Sequence, residues 1–232
     1  MSVDAEAIAR EVAAAGDAWN AGDYGAAVAH YELALQAGAE GADLWFNLGN
    51  ALYRAGEQGR AVLAFERALR RDPGDEGARQ NLRLVRSQIE GAEVVEPPPF
   101  HARLGARVDP DAAAALLVVA WSVACAAVVL RRVLAGAVAR AVATAALVVA
   151  LIGTAAAAAA THAAWAVRND GWAIVVEAGE VLQAPEPSAP RLFTAPEGIS
   201  LRADRRIGGW IHVRAGERDG WIEAARVEPI DP

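Results

Sequence analysis

The sequence predicts a multidomain membrane protein: an all-α solenoid of short helical repeats, a transmembrane helical hairpin, and a small all-β barrel. Three observations carry this expectation. The first part of the chain overlays itself when shifted by thirty-four residues. Two long uncharged stretches, Ala112–Leu130 and Ala141–Val167, flank an arginine-bearing segment, Arg131–Arg140. From Asp170 onward the pattern turns to short β-type runs between clusters of Gly and Pro.

The repeat is read by direct overlay. Ala21-Gly22-Asp23-Tyr24-Gly25-Ala26-Ala27-Val28 falls on Ala55-Gly56-Glu57-Gln58-Gly59-Arg60-Ala61-Val62, and Tyr31-Glu32-Leu33-Ala34-Leu35 falls on Phe65-Glu66-Arg67-Ala68-Leu69. In the second copy Trp45, Leu48 and Leu52 share one helical face, as do Ala61, Phe65 and Ala68 on the next helix. Gly49 and Ala61 are small enough for the paired helices to approach closely. Gly56 lies in the turn between them, and Pro73 stops the second helix. With its period and its Trp45, Leu48, Gly49, Leu52, Ala61, Phe65, Ala68 and Pro73, this stretch resembles the tetratricopeptide repeat (TPR). The first copy is weaker, with Ala15 in place of the glycine. Residues 1–92 are thus expected to hold two repeats, about 8–41 and 42–75, and a capping helix over 75–89 with Leu82 and Val85 on its covering face.

Arrays of this kind take extended peptides or partner helices on their concave side. The resemblance implies groove positions Phe46, Asn50, Tyr53 and Arg54 in the second repeat and Trp19 and Asn20 in the first, with charge from Arg79 and Arg83 on the capping helix. The bland alternative for each is an ordinary packing or surface residue. The full asparagine and lysine clamp that holds C-terminal carboxylates in some arrays is missing; Asn47 and Asn50 are a fragment of it.

Charge narrows the partners. Through Phe100 there are sixteen acidic residues against nine arginines, and the remainder is balanced at thirteen each, so the net charge of −7 belongs to the helical part. That argues against nucleic acid and against a polybasic hold on lipid. All 22 basic residues are arginine, which together with abundant alanine reads as GC-rich, bacterial coding. The lone Cys125 excludes an internal disulfide and a cysteine zinc site, and reads as a small apolar residue of the first stretch.

Residues 93–111, with Pro97-Pro98-Pro99 and Pro110, read as a short, stiff linker. The hairpin is expected over 112–167, with spans at 112–130 and 141–163 and a loop over 131–140. Nineteen helical residues reach about 28 Å, one bilayer core. Trp165 is placed to anchor at an interface, and the alanines and Gly153 of the second span suit tight packing on a neighbouring helix. Arg131, Arg132 and Arg140 abut both spans, which favours a cytoplasmic loop and periplasmic soluble domains. Asp4, Glu6 and Arg10 interrupt any signal-peptide core in the opening residues. Either an export signal precedes them or both domains are cytoplasmic; the first is preferred.

The tail, 169–232, offers β runs at Trp172–Val176, Ile199–Arg202, Trp210–Arg214 and Trp221-Ile222. Gly209-Trp210-Ile211-His212-Val213-Arg214, followed by Gly220-Trp221-Ile222, resembles the Gly-Trp hairpin of bacterial SH3-like domains. About sixty residues give a marginal core that gains from packing on the membrane or the repeats. Trp210 and Trp221 are the candidate ligand-gripping residues of its surface, their alternative role being barrel packing. The proline-bearing loop Ala184–Arg191 is the more variable element, and His212 reads as an isolated surface histidine.

Repeats, proline linker, two spans and an SH3-like tail in this order resemble the BatE family, the TPR proteins of the bacterial aerotolerance (Bat) operon. The resemblance implies a bacterial inner-membrane protein partnered by von Willebrand factor A-domain membrane proteins and a MoxR-type AAA+ ATPase, and linked to oxygen or envelope stress tolerance. The expected function is a non-catalytic scaffold; the alternative is an envelope sensor whose SH3-like domain binds peptidoglycan. No nucleophile elbow, phosphate loop, HExxH or metal cluster appears, so no enzyme, cofactor or metal is expected.

Overall fold

The computed structural model describes residues 2–89, 110–133, 136–168 and 171–230. The expected proline linker therefore lies outside the described residues except at its last two positions. Two compact units emerge. One combines the residues up to 89 with those from 171 onward; the other holds the two apolar helices.

Among the described residues, five helices open the first unit: α1 (Ser2–Asn20), α2 (Tyr24–Gln36), α3 (Ala42–Ala55), α4 (Gln58–Arg71) and α5 (Glu76–Gln88). Local chemistry sets their ends. Asp23 and Asp75 cap α2 and α5 by accepting from the backbone N–H of Ala26 and Ala78, each at 3.0 Å. Pro73 follows directly on the end of α4. Phe65 is fully buried, and a Cβ on Gly49 of α3 would lie 2.7 Å from its ring. The expected close approach of the paired helices therefore occurs at Gly49.

Seven strands close the unit: β1 (Trp172–Val175), β2 (Gly179–Leu182), β3 (Arg191–Ala195), β4 (Ser200–Ile207), β5 (Trp210–Ala215), β6 (Arg218–Glu223) and β7 (Val227–Pro229). They form one antiparallel sheet of order β3-β2-β6-β5-β4-β1-β7. Ala173, Val175, Val181, Leu201, Val213, Ile222 and Val227 turn inward to a single apolar cluster.

β1 decides how the helices and the sheet relate. Its odd residues, Ala173 and Val175, enter the sheet's own cluster, whereas Ile174 joins the helical core with Trp172 and Val176 packed beside it. Both faces are buried, which explains why Trp172–Val176 is an unbroken apolar run rather than an alternating one. The helical partner is α4. A Cβ on Gly59 would meet the Val176 and Val175 carbonyl oxygens at 2.6 and 2.9 Å. Arg67 donates from Nε to the Ile230 carbonyl (3.1 Å) and from Nη2 to that of Pro229 (2.9 Å), and its guanidinium lies 4.8 Å from the Trp45 ring centre. Arg86 on α5 donates to Glu66 Oε1 (2.8 Å) and Ser200 Oγ (2.9 Å). Burying Ile174, Ile230 and Val62 together stabilises the pair by roughly 1.5–3 kcal/mol for each side chain. Repeats and sheet are one folded body with a common core.

Among the described residues the second unit holds a pair of helices, α6 (Pro110–Val133) and α7 (Ala137–Arg168). Both run beyond the uncharged stretches, so Arg132 and Arg140 lie in helix rather than in a ten-residue loop. Among the described residues Gly136 lies between the two helices, as a bend. Among the described residues one helix is long and apolar enough to cross a membrane, over Arg140–His162; α6 carries a shorter apolar segment, Ala114–Val129. Ala124 and Ala127 of α6 and Ala143 and Ala150 of α7 are buried, while Leu116, Val118, Trp121, Val149 and Ile152 are exposed. Small residues thus face inward and large apolar ones outward, the reverse of a water-soluble helix pair. Cys125 is exposed on this outer surface. The side chain of Trp165 lies outside the described set.

Candidate partner-binding groove

The first helix of each pair, α1, α3 and α5, lines a shared groove. Its larger part, about 310 Å³, is bounded by Trp19, Asn50, Tyr53, Arg54, Asn81, Leu84 and Val85. A smaller adjoining part, about 150 Å³, has Gly16, Asn20, Tyr31 and Asn47 on its walls. The sheet packs on α4 and reaches α5 at Arg86, through residues other than those that line the groove.

Five of the eight residues proposed from the sequence come together here: Trp19, Asn20, Asn50, Tyr53 and Arg54. Trp19 stands edge-on to Tyr24 at 5.2 Å. Tyr53 accepts at its hydroxyl from Gln88 Nε2 (3.0 Å). Phe46 is placed elsewhere, in the packing between helices, 6.1 Å from the Phe65 ring and 3.5 Å from where a Cβ on Gly77 would sit. Arg79 and Arg83 both pair with Glu76 on their own helix. Those two guanidiniums hold the Glu76 carboxyl below the usual carboxylate range, Arg83 contributing most.

The groove's own charge is similarly tied. Arg54 donates to the Tyr24 hydroxyl at 2.7 Å and covers its ring at 4.7 Å. What faces the groove is mainly carboxamide and aromatic. Asn81 Nδ2 donates to Asn50 Oδ1 at 2.7 Å. Among the described residues the other half of each amide, Asn50 Nδ2 and Asn81 Oδ1, has no partner. One donor and one acceptor side by side match the C=O and N–H of a peptide unit. Asn81 escaped the sequence reading because it lies on the capping helix, beyond the repeats. Burial raises the pKa of Tyr31, so it lines the groove as a neutral phenol.

On the sheet, Trp221 is only 9% exposed, edge-on to His212 at 5.1 Å. Trp210 is half-buried beside the β4–β5 turn. His212 is not isolated. Nδ1 lies 2.9 Å from Asp204 on β4 and Nε2 3.2 Å from Asp219 on β6, and Arg214 sits 3.5 Å from Asp204. Strand register supplied those neighbours, since Arg205 and Trp221 flank His212 across β4 and β6. No group of three or more potential metal-ligating side chains occurs among the described residues.

Residues 12–76, from the middle of α1 to the start of α5, match the tetratricopeptide repeat family. Comparison with curated proteins and with solved structures gives no match. Residues 12–76 are accordingly a TPR element, a non-catalytic motif for binding other proteins.

Proposed function

We propose that this chain is a membrane-held, non-catalytic scaffold whose groove takes an extended, largely uncharged segment of a partner protein. The observation that carries the reading is the open face of α1, α3 and α5, with an amide donor and acceptor presented on it, while α4 is closed off by the sheet. Arg54, the arginine on the groove wall, is committed to Tyr24, and Arg79 and Arg83 on α5 are committed to Glu76, which argues against a carboxylate-led peptide.

Membrane attachment rests on α6 and α7. Their small-inward, large-outward pattern suits lipid as the surrounding solvent. The residues before and after this insertion share one core, so any bilayer it enters must be crossed an even number of times. That favours a two-span hairpin, with α6, about 36 Å long, crossing beside α7. Both soluble parts then face one compartment, the periplasm by arginine placement. The SH3-like assignment of the sheet and the BatE-type partners, von Willebrand factor A-domain proteins and a MoxR-type ATPase, belong to the same proposal and rest on resemblance. A peptidoglycan-binding tail would have to work without the buried Trp221.

Photo-crosslinking from position 53 of the full chain in native membranes tests the reading. A von Willebrand-type membrane protein is expected in the adduct, and Leu84→Glu, at an exposed site on the groove wall, should abolish it without loss of helicity. Recovery unchanged by Leu84→Glu would refute the groove as the binding site.

A further inference from the structure

The β4–β5 hairpin ends in Arg205-Arg206-Ile207-Gly208-Gly209-Trp210, with Ile207 opposite Trp210 across the turn. Ile207 is 48% exposed. Arg205 and Arg206 are exposed, and neither has a carboxylate partner among the described residues. The nearby acids are engaged elsewhere: Asp204 with His212 and Arg214, and Glu223 with Arg226. Two uncommitted guanidiniums, an exposed isoleucine and a tryptophan therefore share one tip.

Strand register fixes which end of the sheet this is. Trp172 pairs with Arg202, and Ala203 N–H donates to the Gly171 carbonyl at 2.8 Å. β1 thus starts level with Ala203, and the hairpin overhangs it by about 13 Å on the side from which the chain arrives. What arrives is the end of α7 at Arg168. Only Asn169 and Asp170 lie between Arg168 and Gly171, so three steps of chain reach at most about 11 Å.

We propose that this tip rests on a layer of anionic phospholipid headgroups, with Arg205 and Arg206 on phosphate oxygens and Ile207 and Trp210 in the interfacial zone. The inference rests on the membrane reading above: if α7 crosses a bilayer, its short connection holds this end of the sheet near the headgroups. The chemistry is complementary. Arginine pairs with phosphate in two-pronged fashion, and tryptophan favours the polar–apolar boundary. The contact braces the body by one hairpin and leaves the groove on α1, α3 and α5 for the partner.

The test uses the full chain in lipid nanodiscs, with Cys125→Ala and one spin label at a time, introduced through Ile207→Cys, Glu217→Cys or Val149→Cys. Glu217 lies at the opposite end of β5 and Val149 on the exposed face of α7. Collision with nickel carried on lipid headgroups is measured in phosphatidylcholine discs with and without phosphatidylglycerol. Strong collision at position 207, little at 217, and dependence on phosphatidylglycerol are expected. Arg205→Glu should reduce the contacting population at 207 by about fivefold. Equal collision at 207 and 217, with the probe at 149 immersed in lipid, would overturn the tip contact and leave the membrane reading standing. A water-accessible probe at 149 would overturn both. Collision indifferent to phosphatidylglycerol would overturn the anionic headgroup as the ligand.

Discussion

Gly25 and Gly59 occupy the same place in the two repeats, the second residue of α2 and of α4, yet replacing each by alanine should move stability in opposite directions. At Gly25 the new methyl would meet only Asp23 Oδ1, at 3.8 Å, an ordinary contact. Alanine there removes backbone freedom from the unfolded chain and raises stability by about 0.4–1 kcal/mol. At Gly59 the same methyl would lie 2.6 and 2.9 Å from two carbonyl oxygens of the β1 segment and 3.0 Å from Glu197 Cβ. Backbone oxygens cannot rotate away, so α4 and β1 must separate by several tenths of an ångström. That loosens Val62 and Ile174, both fully buried. Overpacking of this kind costs about 1–3 kcal/mol, which exceeds the helix-propensity gain. With about 2–4 °C per kcal/mol for a body of this size, Gly25→Ala should raise the melting temperature by roughly 1–4 °C and Gly59→Ala should lower it by a similar or larger amount. Thermal unfolding of the detergent-solubilised full chain reads the sign. Hydrogen exchange should show lost protection in both α4 and β1 for Gly59→Ala. Shifts of the same sign at both glycines, or lost protection confined to one partner, would refute a common core.

Two further expectations follow from the helical part. Gly49→Ala would place a methyl 2.7 Å from the fully buried Phe65 ring and should cost about 1–3 kcal/mol despite alanine's better helix propensity, read by denaturant unfolding. Arg83 and Arg79 hold the pKa of Glu76 below its ordinary value of about 4.3, so its charged form stabilises the fold above that value and the contribution is lost as pH falls through the lower folded one. Glu76→Gln should therefore be less stable than the parent at neutral pH and converge with it in strong acid, as pH-dependent melts would show.

Much of the helical part was legible because its determinants are local and repeated. A thirty-four-residue period, a glycine facing an aromatic, aspartates at helix starts and a proline after α4 each act within a few residues, so the TPR element could be read residue by residue. The groove was legible only where it reused the repeat pattern. Trp19, Asn50, Tyr53 and Arg54, at repeat positions, stand along its walls, but Asn81 lies on a helix outside the period. The charges of Arg79 and Arg83 are spent on Glu76, a pairing set by side-chain geometry one turn and two turns along α5. Phe46 sits on the same helix as Asn50 but meets α4 and α5, because helix crossing rather than spacing decides which flank is covered.

The amino-acid order alone determined that a repeat array, an apolar helix pair and a β-rich tail follow one another, since periodicity and turn chemistry are properties of neighbouring residues. Only the tertiary structure decided that the array and the tail are one body. That union depends on Ile174 reaching the helical core, on backbone oxygens meeting Gly59 and on Arg67 capping the chain's last strand, contacts between residues more than a hundred positions apart. Surface burial across such separations leaves a single trace in the primary structure, the unbroken apolar run Trp172–Val176. A strand of that kind announces two covered faces and does not name what covers them.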